Sequence, residues 1–223
     1  MLFKTPFMGG YVLHSFLFRF YSILLIGISC SLWGAVEVGL DRVFSPLFNQ
    51  LLKGKKVGVL TNDSAINHQR LTSCSLFIEK QKECDYQLKV FFSPEHGFSA
   101  KANAFESVNH AEYESVTVFS LHGKSKRPSQ KMLEGLDLVV FDLQTVGARC
   151  YTYETTLFYL MEEAAKEGVR VVVLDRPNPM GGEHVEGMTS QAKYQCFFNY
   201  LQIPMIHGMT IGELALYFNA TQK

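Results

Sequence analysis

Between residues 55 and 219, short apolar and β-branched runs alternate with stretches whose apolar residues recur at helical spacing. That alternation is the mark of a parallel sheet covered on both faces. Residues 55–61 (KKVGVLT), 88–92 (LKVFF), 116–121, 136–143 (LDLVVFDL) and 169–174 (VRVVVL) read as five strands. The fourth is almost wholly apolar and is therefore expected at the centre of the sheet. Helices are expected over 65–82, opened by the capping residues Asn62, Asp63 and Ser64, and over 153–167, stopped by Gly168. A last helix is expected over 210–219, where Thr210 and Glu213 have the spacing of a capping box. The chain shows neither an internal repeat nor a low-complexity linker. The expected class is α/β, a doubly wound and mostly parallel sheet with helices on both faces.

Residues 1–34 stand apart from this pattern. They contain no acidic residue, only the basic Lys4 and Arg19, and an apolar run over 16–28. The segment reads as an export signal, with an uncleaved membrane anchor as the other reading, which places the chain in the periplasm or outside the cell. The 21 basic and 21 acidic residues balance, whereas a nucleic-acid binder carries a basic surplus, so no nucleic-acid partner is expected. Export permits disulfides. Cys74 and Cys84, however, are expected in one helix, about 15 Å of rise apart and beyond the reach of a bridge. They are read, with Cys150 and Cys196, as four separate small buried residues. No CxxC pair is present, and no thiolate metal site is expected.

Ligands of open parallel sheets bind beyond the carboxyl ends of the strands, so the residues following each strand are candidate site lining. Thr61 and Asn62 follow the first strand, and Ser93-Pro94-Glu95-His96-Gly97-Phe98 the second. Asp142, Leu143 and Gln144 close the fourth, and Asp175-Arg176-Pro177-Asn178-Pro179 the fifth. Arg149, Tyr151 and Tyr153 precede a helix, as does His207. One such residue is ordinarily a cap or a solvated turn; four consecutive strand ends bearing carboxylate, imidazole, guanidinium or carboxamide groups point to a site.

The strings SPEHGF (93–98), FDLQTVGARCYTY (141–153), LDRPNPMGG (174–182) and HGMTIGELA (207–215) resemble the exo-β-N-acetylmuramidase family, long catalogued only as a domain of unknown function. The resemblance extends from about residue 55 to residue 219. It implies a Rossmann-like domain over 50–209, followed by a smaller C-terminal domain of which 210–223 supplies only the first helix. It further implies release of terminal β-linked N-acetylmuramic acid from peptidoglycan fragments, with no cofactor. Family members continue well past residue 219, so a partner chain supplying the C-terminal domain is one expectation.

Glycoside cleavage needs a proton donor to the leaving oxygen and a second group at the oxocarbenium-like centre. The resemblance makes Glu95 the acid, with His96 tuning or orienting it. Asp142, Asp175 and Glu154 are candidates for the second role, although Asp175 is equally read as holding Arg176 or capping the turn after it. The lactyl carboxylate of muramic acid calls for a cation, Arg149 or Arg176. Tyr151 and Tyr153 are expected to stack on or hydrogen-bond to the sugar, one of them doubling as core. Asn62, Gln144, Asn178 and His207 complete the expected lining.

Two departures bear on turnover. Thr145 stands where the family commonly has an acidic residue, and Ser99-Ala100 replaces a glycine-rich segment. A binder of cell-wall sugar that uses the same crevice without turnover is therefore an alternative. A metal-dependent hydrolase built on Glu95, His96, Asp142, Asp175 and His207 is a weaker one, because no HxxxH or HExxH spacing supports it. TNDSA rather than GxGxxG follows the first strand, against a dinucleotide site.

Overall fold

The structure is a computed structural model that describes residues 36–99, 111–122 and 125–221. The expected export segment, residues 1–34, lies outside the described residues. Among those described, no helix is long and apolar enough to cross a membrane.

Six strands form one sheet in the order β3-β4-β2-β1-β5-β6. They are β1 Lys56–Thr61, β2 Gln87–Ser93, β3 Ala111–Tyr113, β4 Val116–Ser120, β5 Leu138–Asp142 and β6 Arg170–Val173. All pairings are parallel except β3 with β4. Side chains alternate across a strand, and the two faces are correspondingly distinct. Leu60, Phe92, Val139 and Phe141 enter one core cluster, and Val57, Val59, Phe91, Leu138 and Val140 the other. Helices α4 (Thr152–Lys166) and α5 (Ile211–Thr221) cover the first face, with Leu157, Phe158, Leu214 and Phe218 inserted into it. Helices α1 (Gly39–Arg42) and α2 (Ser73–Glu79) cover the second through Leu40, Leu76 and Phe77. A short α3 (Gln130–Leu133) adds Leu133 to the first cluster. The doubly wound α/β class expected from the alternating pattern is thus present. The compact unit begins at Glu37 and takes in α5, whose Phe218 stacks on Phe158 of α4 at 4.6 Å.

Several local expectations are corrected. The helix expected over 65–82 is only Ser73–Glu79. Asn67 prevents an earlier start, because its side-chain oxygen accepts from the Gln69 and Leu71 amides and builds a turn. The cap is Thr72, whose hydroxyl accepts from the Ser75 amide. Cys84 therefore lies beyond the helix end; it and Cys74 are buried free thiols, while Cys150 and Cys196 are exposed rather than buried. The fourth expected strand, β5, is interior but stands next to the edge strand β6, and β1 and β2 are the central pair. The β3–β4 hairpin was not expected. It turns on Glu114 and Ser115, both at positive φ, where Asn-Gly or a similar pair would have announced it.

The capping box at the last helix forms as its spacing predicts. The Glu213 amide donates to the Thr210 hydroxyl oxygen at 3.2 Å, and Glu213 accepts from the Thr210 amide at 2.8 Å. Asp175 reinforces it, accepting from the Thr210 hydroxyl at 2.9 Å and the Gly212 amide at 2.8 Å. Thr210→Ala removes both hydroxyl bonds and is expected to cost about 1 kcal/mol. A shift of the urea midpoint checks this; an unchanged midpoint would show that Asp175 alone suffices as the cap.

Candidate functional site

The strongest convergence lies at the carboxyl ends of β1, β2 and β4 and the start of α4. After β2 ends at Ser93, Pro94 to Gly97 form a tight turn in which His96 and Gly97 take φ of 70° and 76°. The turn directs Glu95 inward, where it is only 3% exposed. Its Oε2 accepts from the Thr152 hydroxyl at 2.6 Å, and its Oε1 lies 3.5 Å from His122 Nε2. The Tyr153 hydroxyl donates to the Glu95 backbone carbonyl at 3.3 Å and accepts from Asn62 at 3.0 Å. Asn62 is itself fixed by the Ser64 amide and hydroxyl. The Tyr151 ring stands edge-on to Tyr153 at 4.8 Å. Burial raises both phenols above their ordinary range, so they act here as neutral groups.

Five expected site residues, Asn62, Glu95, His96, Tyr151 and Tyr153, are therefore close together. The remaining ones are engaged elsewhere. Asp142, expected as a second catalytic group, is fully buried and paired with Arg176 Nε at 2.7 Å. Burial pushes its carboxyl up, against the pull of the Arg176 guanidinium. Arg176 also donates to the Ile66 carbonyl at 3.0 Å. The pair pins the loop before α2 to the sheet. Arg149 donates to the carbonyls of Met188 and Ile203, holding the long excursion between β6 and α5. Gln144 donates to the Pro177 carbonyl at 3.0 Å, and Asn178 to the Met209 carbonyl at 2.9 Å. Asp175 caps α5. His207 Nδ1 accepts from the Met209 amide, which places the ring proton on Nε2, 3.1 Å from Glu154 Oε1. Burial raises the Glu154 carboxyl and His207 opposes the rise. Among the described residues, no group of three or more His, Cys, Asp or Glu side chains converges as a metal site.

Sequence reading missed two neighbours of Glu95. His122 follows β4 as directly as Glu95 follows β2, so the strand-end rule would have found it had it been applied to that strand. Thr152 lies between the two tyrosines already singled out, and a threonine at a helix start reads simply as a cap. His122 is 4% exposed. Burial pushes its imidazole below the ordinary 6.5; Glu95 opposes this, and Lys126 and His96 add to it.

The stability consequence of His122 has a definite sign. The folded chain binds this proton more weakly than the unfolded chain, so the contribution is complete above about pH 6.5 and is lost as pH falls through that region. The melting temperature of the wild type is expected to fall relative to His122→Gln from about pH 7 to about pH 5. Parallel melting profiles over that range would remove this burial penalty from consideration.

The chain is similar in sequence and fold to known proteins. The chain is 42% identical over 186 residues to the Peptidoglycan beta-N-acetylmuramidase NamZ of Bacillus subtilis (strain 168), covering 82% of this chain and 44% of that protein. Two solved structures of DUF1343 family proteins from Bacteroides fragilis NCTC 9343 match with TM-scores of 0.73 and 0.70 at 33% and 29% identity. They cover 83% and 84% of this chain, and 46% and 47% of their own. The chain thus spans less than half the length of these relatives. Residues 57–223 match the model described as Exo-beta-N-acetylmuramidase NamZ, N-terminal, and by that match, together with the buried Glu95 of its SPEHGF motif, the chain belongs to the NamZ family.

Proposed function

We propose that this chain is the acid-bearing half of an exo-acting glycoside hydrolase that releases terminal β-linked N-acetylmuramic acid from peptidoglycan fragments. The observation that carries this reading is the placement of Glu95 at a strand end, enclosed by Thr152, Tyr153 and His122. The relative named peptidoglycan β-N-acetylmuramidase supports it. In this mechanism Glu95 protonates the glycosidic oxygen as the bond to the anomeric carbon breaks. Thr152 fixes one carboxyl oxygen and His122 stands beside the other, so the two together orient the acid. Tyr151, only partly buried, supplies the wall for the pyranose, while Tyr153, at 3% exposure, is the one that doubles as core and backs it. Asp142, Asp175 and Glu154 are committed to internal partners, so the group that meets the oxocarbenium-like centre comes from outside these three. The acid-free segment 1–34 supports export, to the periplasm or beyond, where peptidoglycan fragments are met. Relatives of which the chain covers less than half support a second wall of the cleft, supplied by a C-terminal domain or a partner chain.

The test is chromophore release from a β-N-acetylmuramide, with the β-N-acetylglucosaminide as control. The chain is assayed alone and together with the remaining half of a family member. Turnover of the muramide in either form is the expected result. No turnover in either, with N-acetylmuramic acid still raising the melting temperature, would replace the enzyme by a sugar-binding protein, a reading favoured by Thr145 standing where the family commonly has an acidic residue.

A further inference from the structure

Recognition of a muramyl unit needs a cation for its lactyl carboxylate, and neither expected arginine is available. Arg149 is bound to backbone carbonyls and Arg176 to Asp142. Arg127 is held by Glu162 and Glu163. Lys126 is differently placed. Its ammonium sits 3.8 Å from the centroid of the Phe197 ring and 5.5 Å from that of Phe198, and no ion pair to a carboxylate is formed among the described residues. Phe197 lies 6.4 Å from the His122 ring, whose Nε2 is 3.5 Å from Glu95. The charge on Lys126 reaches His122, so cation, rings, imidazole and acid form one continuous line.

We propose that Lys126, seated on Phe197 and Phe198, is the anion-recognising cation of a substrate subsite beside Glu95, taking the lactyl carboxylate of the muramyl unit. The assignment rests on the muramidase reading of Glu95 and names the group that reads the substrate. The lactyl ether is carried on the pyranose ring away from the anomeric carbon, so its cation must stand near the acid but apart from it. Lys126 does so through intervening rings, its ammonium 3.8 Å from Phe197, which is 6.4 Å from the His122 imidazole beside Glu95. A ring beneath an ammonium holds it in place and excludes water on one side while leaving N–H donors for an anion. Phe198, 37% exposed, is the second ring near the ammonium and offers an apolar surface beside it.

Three forms decide the matter: the wild type, Lys126→Met, which keeps the stem and drops the charge, and Lys126→Arg. Each is given the β-N-acetylmuramide and the same glycoside with its lactyl carboxyl converted to the carboxamide. The wild type is expected to prefer the carboxylate by about tenfold or more in kcat/KM, largely through KM. Lys126→Met is expected to lose the preference and Lys126→Arg to keep most of it. A merely structural lysine would lower both substrates together. A preference unchanged in Lys126→Met overturns the proposal even while turnover upholds the muramidase reading. If turnover is absent, the melting-temperature shift by N-acetylmuramic acid over N-acetylglucosamine is read instead. A shift lost in Lys126→Met then upholds the subsite without the hydrolase, and equal shifts or none overturn it.

Discussion

Glu95→Gln is expected to lower muramide cleavage by about 10²- to 10⁴-fold, the range that a positioned general acid contributes. Glutamine has the same shape and can still accept from the Thr152 hydroxyl, which now holds Glu95 at 2.6 Å, so the melting temperature should move little. Loss of rate without loss of fold separates chemistry from packing. The leaving group adds a second discrimination. A nitrophenolate needs little protonation, whereas a sugar alkoxide needs it fully, so the loss should be much larger on a muramyl disaccharide than on the nitrophenyl glycoside. Equal losses on the two would make Glu95 something other than the proton donor, and retained turnover on both would remove it from the mechanism.

Strands β1 and β5 were legible because each is enclosed on both faces and so reads as a nearly continuous apolar run, and β2 because only the exposed Lys89 interrupts its apolar stretch. The capping box of α5 was legible because all its partners lie within three residues. The helix after β1 was misjudged for the opposite reason. Ala65 to Leu71 carry no strong helix breaker, and only the side-chain turn at Asn67 reveals the loop. In the site, position along the sheet pointed to Glu95, Asn62 and Tyr153, since the carboxyl ends of parallel strands share one side. The pairings that remove the other candidates were not readable. Asp142 meets Arg176 across 34 residues, Asp175 meets Thr210 across 35, and Glu154 meets His207 across 53. A sequence shows that charges are available near the crevice. Which of them neutralise one another depends on loop paths of that length.

Asp142→Ala should be among the most damaging single substitutions for stability. The carboxylate is fully buried, and its partner Arg176 is only 6% exposed. Deleting the aspartate leaves a guanidinium enclosed with no counter-charge, at a cost of about 3–5 kcal/mol. Set against a typical total of about 5–15 kcal/mol, this is enough to populate the unfolded chain visibly. The pair itself need not be strongly favourable, because bringing both charges out of water offsets much of their attraction. Replacing both, Asp142→Leu with Arg176→Met, should therefore recover most of the stability that the single change loses. Urea midpoints of the two forms measure this; a double variant no more stable than Asp142→Ala would mean that the ion pair is itself a major source of stability. The double variant should still differ from the wild type in one respect. Arg176 also donates to the Ile66 carbonyl at 3.0 Å, and without that bond the loop before α2 should exchange its amide hydrogens faster while the sheet keeps its protection. Unchanged exchange in that loop would show that the bridge between Ile66 and Thr72 holds it independently of the buried pair.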